Sequence, residues 1–269
     1  ADKTGTLTQN KMSIAYVYDA TTGSSIAVKE NIPLPEQVLE YAMWSSETTP
    51  FDPMEKAIHQ LYTSTAATDK RTLFQQIHED PIGGTPPMMT HIFKDAKGEV
   101  IIAAKGAPEA ILHQTNLSIA ALKKIEEQVL LYAKSGYRVL GVGKGSWQEH
   151  KWPVSQNEFA FEFLGLIVFY DPPKDNIQQT IRNFNDAGIK VKMITGDYPE
   201  TAIAIADEIQ LNHNLEVVTG KEVLLLSKEE LQQRVQQVSI FARMFPEAKL
   251  KVIDALKENG EIVAMTGDG

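Results

Sequence analysis

The chain reads as an α/β protein: a parallel sheet wrapped by helices, with a large insertion built on an antiparallel sheet. Three observations predict this. From Gly188 onward, short apolar runs alternate with stretches of helical periodicity, the grammar of a parallel sheet with helical crossovers. Before residue 171 the extended segments outnumber the helical ones and follow one another closely. Finally, the Thr-Gly-Asp triplets at 195–197 and 266–268 fall at the carboxyl ends of predicted strands, where open α/β sheets collect their ligands.

Taken in order, residues 2–8 (Asp2-Lys3-Thr4-Gly5-Thr6-Leu7-Thr8) set an aspartate, a lysine and three threonine hydroxyls around one glycine. Extended segments are predicted at 12–18 and 25–28, helices at 36–44 and 54–62, and further strands at 88–94 and 100–104. A helix at 122–133 carries Leu122, Ile125, Val129 and Tyr132 as an apolar stripe, and Gly136 suits its stop. Strands at 137–143 and 159–170 complete the insertion. Asp171-Pro172-Pro173 follows, a stiff turn of the kind common between elements. Beyond it come a strand at 189–194, a helix at 200–211 with Ala202, Ile203, Ala206 and Ile209 at helical spacing, strands at 217–218 and 239–242, a helix at 246–258 and a strand at 262–265. These boundaries divide the chain into a segmented domain, 1–11 with 171–269, around an inserted domain, 12–170.

Composition narrows the function. With 269 residues, 43% of them hydrophobic, the chain can bury cores for two domains. Its longest apolar run, 163–170, falls far short of the roughly 20 residues that span a bilayer, so no membrane insertion is expected. A net charge of −9 argues against nucleic acid or an anionic membrane surface as the main partner. The absence of cysteine excludes disulfides, thiolate metal sites and a catalytic thiol. The histidines (His59, His78, His91, His113, His150 and His213) show no ligand-like spacing, and ordinary core or surface roles are expected for them. No signal peptide or internal repeat is found. The start at Ala1 and the stop on Gly269 inside a loop motif read as those of an excised fragment.

A carboxylate acts as a covalent nucleophile toward phosphorus when cations and donors hold the transferred group in line and neutralise it. The 2–8 cluster supplies such parts, with Lys3 and a magnesium ion as sources of charge; the plain alternative is a polar Thr/Gly turn after a strand. Further along come Lys105-Gly106-Ala107-Pro108-Glu109, Asp171-Pro172-Pro173-Lys174, Met193-Ile194-Thr195-Gly196-Asp197 and Ala264-Met265-Thr266-Gly267-Asp268-Gly269. Together and in this order they resemble the successive motifs of the P-type ATPases, cation pumps that pass through an aspartyl-phosphate. Thr8-Gln9-Asn10-Lys11-Met12 and Asp52-Pro53-Met54-Glu55 have the flavour of the calcium-pump type.

The resemblance implies a haloacid dehalogenase-like Rossmann phosphorylation domain, incomplete at both ends, with an inserted α+β nucleotide-binding domain. It implies Asp2 as nucleophile, Thr4 as a contact to phosphate and Mg²⁺, Thr195 and Gly196 at the phosphate, Lys249 as its neutralising lysine, and Asp2, Thr4 and Asp268 around Mg²⁺. On the nucleotide side it implies Glu55, Lys105, Gly106 and Arg138. Asp197 has two readings, a role near nucleotide and hinge or a plain helix cap. Thr4 stands where related phosphatases carry a second aspartate that activates water, a difference that favours a lasting phosphoenzyme. The implied ligands are ATP and Mg²⁺. The implied partners are the transmembrane and actuator domains of a parent pump, and the implied place is the cytoplasmic face of a membrane, a bacterial plasma membrane.

Two departures stand out. Where the family often has an aromatic residue and a lysine, this sequence has Ile82-Gly83-Gly84-Thr85-Pro86-Pro87, leaving Ile82 or His78 as candidates to cover the purine. The apolar strand that precedes the nucleophile in the family, and the acidic segment that follows the last glycine, do not occur in this sequence; unpaired backbone and an exposed apolar face are expected, in a domain that is distorted, loosely folded or paired with another molecule, with the magnesium site short of a partner. Two other functions remain in view: a module that only binds nucleotide, and a soluble phosphatase of the same superfamily.

Overall fold

The computed structural model describes residues 1–30, 32–84, 86–147, 151–211, 214 and 216–267. It divides into two compact units, one formed by Ala1–Lys11, Leu130–Arg138 and Asp171–Gly269, the other by Met12–Val129 and Val139–Tyr170.

The second unit is built on a seven-stranded antiparallel sheet. Its strands are β1 (Ser13–Asp19), β2 (Ser24–Ala27), β3 (Phe74–Gly83), β4 (Met88–Asp95), β5 (Val100–Gly106), β6 (Arg138–Ser146) and β7 (Ala160–Tyr170), in the order β2-β1-β7-β6-β5-β4-β3. Near-continuous apolar β7 lies inside the sheet, buried on both faces from Phe163 to Phe169. Helices α1 (Glu36–Trp44) and α2 (Pro53–Thr65) supply Val38, Leu39, Trp44, Ile58 and Tyr62 to a core shared with Val17, Phe93, Ile167 and Phe169. Asp52 caps α2 by accepting from the Met54 and Glu55 amides, and Pro53 occupies its first turn. Two further helices are α3 (Pro108–Leu112) and α4 (Ile119–Lys134).

The first unit holds a parallel sheet in the order β8-β10-β9, from β8 (Met193–Ile194), β9 (Val217–Thr219) and β10 (Ile240–Ala242). Alternation along β10 feeds two cores. Ile240 and Ala242 pack with Ile177 and Ile181 of α5 (Ile177–Asp186) and Ala202, Ile205 and Ala206 of α6 (Pro199–Glu208). Phe241 packs on the other side with Val223 of α7 (Gly220–Leu225), Leu231 and Val235 of α8 (Lys228–Gln237), and Ala248 and Val252 of α9 (Pro246–Glu258). Thr219 and Ser227 each close a capping box at the starts of α7 and α8.

Two expectations need correction, and one strand was not foreseen. The strand predicted at 262–265 is irregular, with Ile262 fully exposed, since a strand exists only where a neighbour completes its ladder. For the same reason the strand predicted at 189–194 shortens to Met193–Ile194, the part that pairs with β10. Between these stretches runs a groove of about 710 Å³ lined by Ile189, Val191, Ile194, Ile262 and Met265, among others. Strand β3 escaped prediction because it is polar and carries Pro81, which a sheet tolerates at the edge position that β3 occupies.

Candidate active site

In the first unit, Asp2 lies beside the end of β8. It bridges Ile194 in parallel, and the Asp2 amide donates to the Thr266 carbonyl at 2.9 Å. A Cβ built on Gly267 would come 3.7 Å from the Asp2 Cβ, so the second Thr-Gly motif abuts the aspartate. Asp268 and Gly269 lie outside the described residues. The Asp2 carboxylate accepts from the Lys3 amide at 2.8 Å and from Lys249 Nζ at 2.9 Å. Lys249 sits in the first turn of α9, where a cation opposes the helix dipole; the carboxylate in front of it offsets that cost.

Residues 3–7 make a turn closed by the Thr8 amide on the Lys3 carbonyl at 3.1 Å. Gly5 is needed there: its φ of 73° is left-handed, which costs an L residue about 1–2 kcal/mol. The Gly5 carbonyl accepts from Lys174 Nζ at 2.8 Å. Asp171 pins the same segment, accepting from the Thr8 hydroxyl at 2.5 Å and the Lys11 amide at 3.0 Å. The paired prolines thus belong to a short antiparallel bridge, Thr8 against Pro173.

Lys3 does not face the open side of this turn. It is 2% exposed, and its ammonium lies 2.7 Å from Asp197. Arg138 Nε stands 3.7 Å from the other oxygen of Asp197. Burial alone would raise the Asp197 pKa, but Lys3 and Arg138, with hydrogen bonds from Lys3 and Thr195, hold it below the usual carboxylate range. Asp197 is not the cap of α6, since that position belongs to Tyr198, with Pro199 following. Thr195 is buried and its amide is committed to the Phe241 carbonyl at 2.9 Å. Of the Thr195-Gly196 pair, the exposed Gly196 is the part left at the surface.

The second unit holds the other group of expected residues. Lys105 on β5 is 5% exposed and donates to Glu55 Oε1 at 2.7 Å and to the Ser45 carbonyl at 2.5 Å. Burial pushes its pKa down, and Glu55 opposes this only in part. At Gly106 the close approach is made by the chain itself: an added Cβ would meet Met88 Cα and the Pro87 carbonyl at 2.5 Å. Ile82 is 71% exposed and His78 half-buried.

Sequence reasoning missed one group entirely. Glu47, Glu79 and His91 converge in this unit. Burial first, then Glu79 and Glu55, raises the Glu47 pKa, while burial and Lys105 lower that of His91. The pairing of β3 with β4 that brings Glu79 to His91 could have been found only by recognising β3.

Comparison with known proteins gives the family. A haloacid dehalogenase-like hydrolase model matches residues 1–269, and the chain belongs to that family. Among curated relatives, all of this chain is 33% identical to a calcium-transporting ATPase of Bacillus subtilis (strain 168), of which it covers 35%. It is 30% identical to calcium-transporting ATPase 1 of Bacillus cereus (strain ATCC 10987 / NRS 248), covering 32%, and 30% identical to a probable cation-transporting ATPase F of Mycobacterium bovis (strain ATCC BAA-935 / AF2122/97), covering 35%. The chain therefore spans about a third of the length of these relatives. Among the described residues no helix is long and apolar enough to cross a membrane.

Proposed function

We propose that this chain is the ATP-hydrolysing region of a P-type cation pump that works through an aspartyl-phosphate on Asp2. The observation that carries the reading is the meeting of Asp2 and Lys249, distant in sequence and 2.9 Å apart, beside two Thr-Gly loops. An Asp2 carboxylate oxygen attacks the γ-phosphorus of ATP, the bond from that phosphorus to the β,γ-bridging oxygen breaks, and ADP leaves with the electron pair. Lys249 shifts from the free carboxylate to the charge on the transferred group. Gly196, exposed next to buried Thr195, offers backbone to the same group, and Thr4 leaves no carboxylate at its position to activate water against the acyl phosphate.

The oxygen-only donors here suit Mg²⁺: the Asp2 carboxylate, with the Thr4 carbonyl and Asp268 as the further candidates. When bound, the ion supplies positive charge against the phosphoryl oxygens. In the second unit, the Glu55–Lys105 pair is the nucleotide-side candidate, with Gly106 shaping the strand beneath it. In the first, Arg138 and Asp197 form a charged pair. We assign residues 1–11 and 171–269 to phosphorylation and 12–170 to nucleotide binding.

The names of the relatives favour a calcium-like cation, and their greater length favours a complete protein with membrane-spanning and actuator domains, with this region at the cytoplasmic face of a bacterial plasma membrane. The test is labelling of the complete protein by γ-³²P-ATP in Mg²⁺. An acid-stable, hydroxylamine-sensitive phosphoprotein is expected, and it disappears in Asp2→Asn. Label that persists in Asp2→Asn contradicts the assignment.

A further inference from the structure

We infer a second metal site, in the seven-stranded unit, formed by Glu47, Glu79 and His91 and suited to a first-row transition dication such as Zn²⁺. His91 on β4 and Glu79 on β3 are direct cross-strand partners, which sets their side chains on one face with Cβ atoms about 4.5–5.5 Å apart. Glu47 reaches the same point from the segment between α1 and α2. One ligand atom from each residue lies within 4.8 Å of the others.

The independent sign is the histidine. His91 is 0% exposed, and among the described residues neither Nδ1 nor Nε2 has a partner at full hydrogen-bond geometry, the Ser46 backbone being the acceptor that acts on the ring. A buried polar group left unmet costs about 1–3 kcal/mol, and this one borders two carboxylates whose mutual repulsion also calls for a cation. The nearby ammonium of Lys105 does not fill that need, because it is held by Glu55 at 2.7 Å, the Ser45 carbonyl at 2.5 Å and the Met89 sulfur at 3.2 Å.

The donor set selects the ion. One imidazole nitrogen with two carboxylate oxygens fits Zn²⁺ and its neighbours, whereas Mg²⁺ and Ca²⁺ prefer oxygen throughout. Bonds of about 2.1 Å in a tetrahedral site bring donor atoms to about 3.4 Å from one another. Closing to that spacing asks for small movements of the exposed Glu79 and of Glu47, which no strand or helix constrains. Water completes the coordination. An ion here would tie the segment after α1 to β3 and β4, next to the Glu55 carboxylate that accepts from the Glu47 amide at 3.3 Å.

The test is calorimetric titration of the 269-residue protein with Zn²⁺ in excess Mg²⁺, paired with nitrogen-15 spectra of the histidine rings. One equivalent should bind and shift the ring signals of His91. Glu79→Gln, at an exposed position that leaves folding intact, should weaken binding at least tenfold, as should Glu47→Gln; His91→Gln should abolish it. If His91→Gln fails to fold, the two glutamate variants and the ring signals decide. No binding overturns the inference. So does binding that leaves the His91 signals in place, or that both glutamate variants retain at full strength.

Discussion

Each unit buries a lysine–carboxylate pair at 2.7 Å, Lys3 with Asp197 in one and Lys105 with Glu55 in the other, yet the two are balanced in opposite senses. Asp197 has more positive charge than it needs: Lys3, Arg138 and the Thr195 hydroxyl hold its pKa down despite its burial. Lys105 has less negative charge than it needs: burial outweighs Glu55, and its pKa falls. The first pair is therefore a fixed strut under the loop that carries Asp2. The second is a buried cation with only partial compensation, a natural neighbour for an anionic ligand. The same ion-pair distance thus says little about function until the surrounding charges are counted.

The largest effect is expected at the strut. Asp197→Asn strands a buried lysine and should cost about 3–5 kcal/mol in urea denaturation at neutral pH. The sign with pH follows from the depressed pKa: the contribution is complete above the unfolded value of about 3.9 and is lost as pH falls through the lower folded value. The gap between wild type and Asp197→Asn should then close only in acid. A gap that closes near neutrality breaks the comparison.

Glu55→Gln should cost less, about 1–3 kcal/mol, because Lys105 can shed its proton and keep the Ser45 carbonyl as a partner. Equal losses at the two pairs would mean that both are struts. The smallest effect is a slope. With its folded pKa below the unfolded value of about 10.4, Lys105 binds fewer protons in the folded state across that window, so stability should rise with pH there. Lys105→Met should flatten the rise in denaturation series taken through alkaline pH, and a wild type without it contradicts an under-compensated lysine.

The sequence made the local parts of this picture legible. Helix α9, with Pro246 at its start, and α1 follow from short-range pattern, and Thr195-Gly196-Asp197 follows the end of β8 as expected, whereas Thr266-Gly267 follows no strand. What stayed hidden depends on partners distant in sequence. Periodicity cannot reveal that Lys3 turns inward to Asp197, or that the Thr195 amide is spent on Phe241. The run at 262–265 has the composition of a strand but lacks its ladder. Conversely, β3 is a strand by pairing alone, and with it went the Glu79–His91 juxtaposition. The histidines carried no ligand spacing because two of the three residues meeting there are joined across strands.

The central claim is that Asp2 becomes the phosphorylated residue, and chemical trapping tests it most directly. The complete protein, incubated with ATP and Mg²⁺, is quenched and reduced with borohydride, which converts an aspartyl-phosphate into homoserine, and the digest is read by mass spectrometry. Homoserine at position 2 is the expected result. Homoserine at another aspartate, or ATP turnover with position 2 unaltered, would contradict the account.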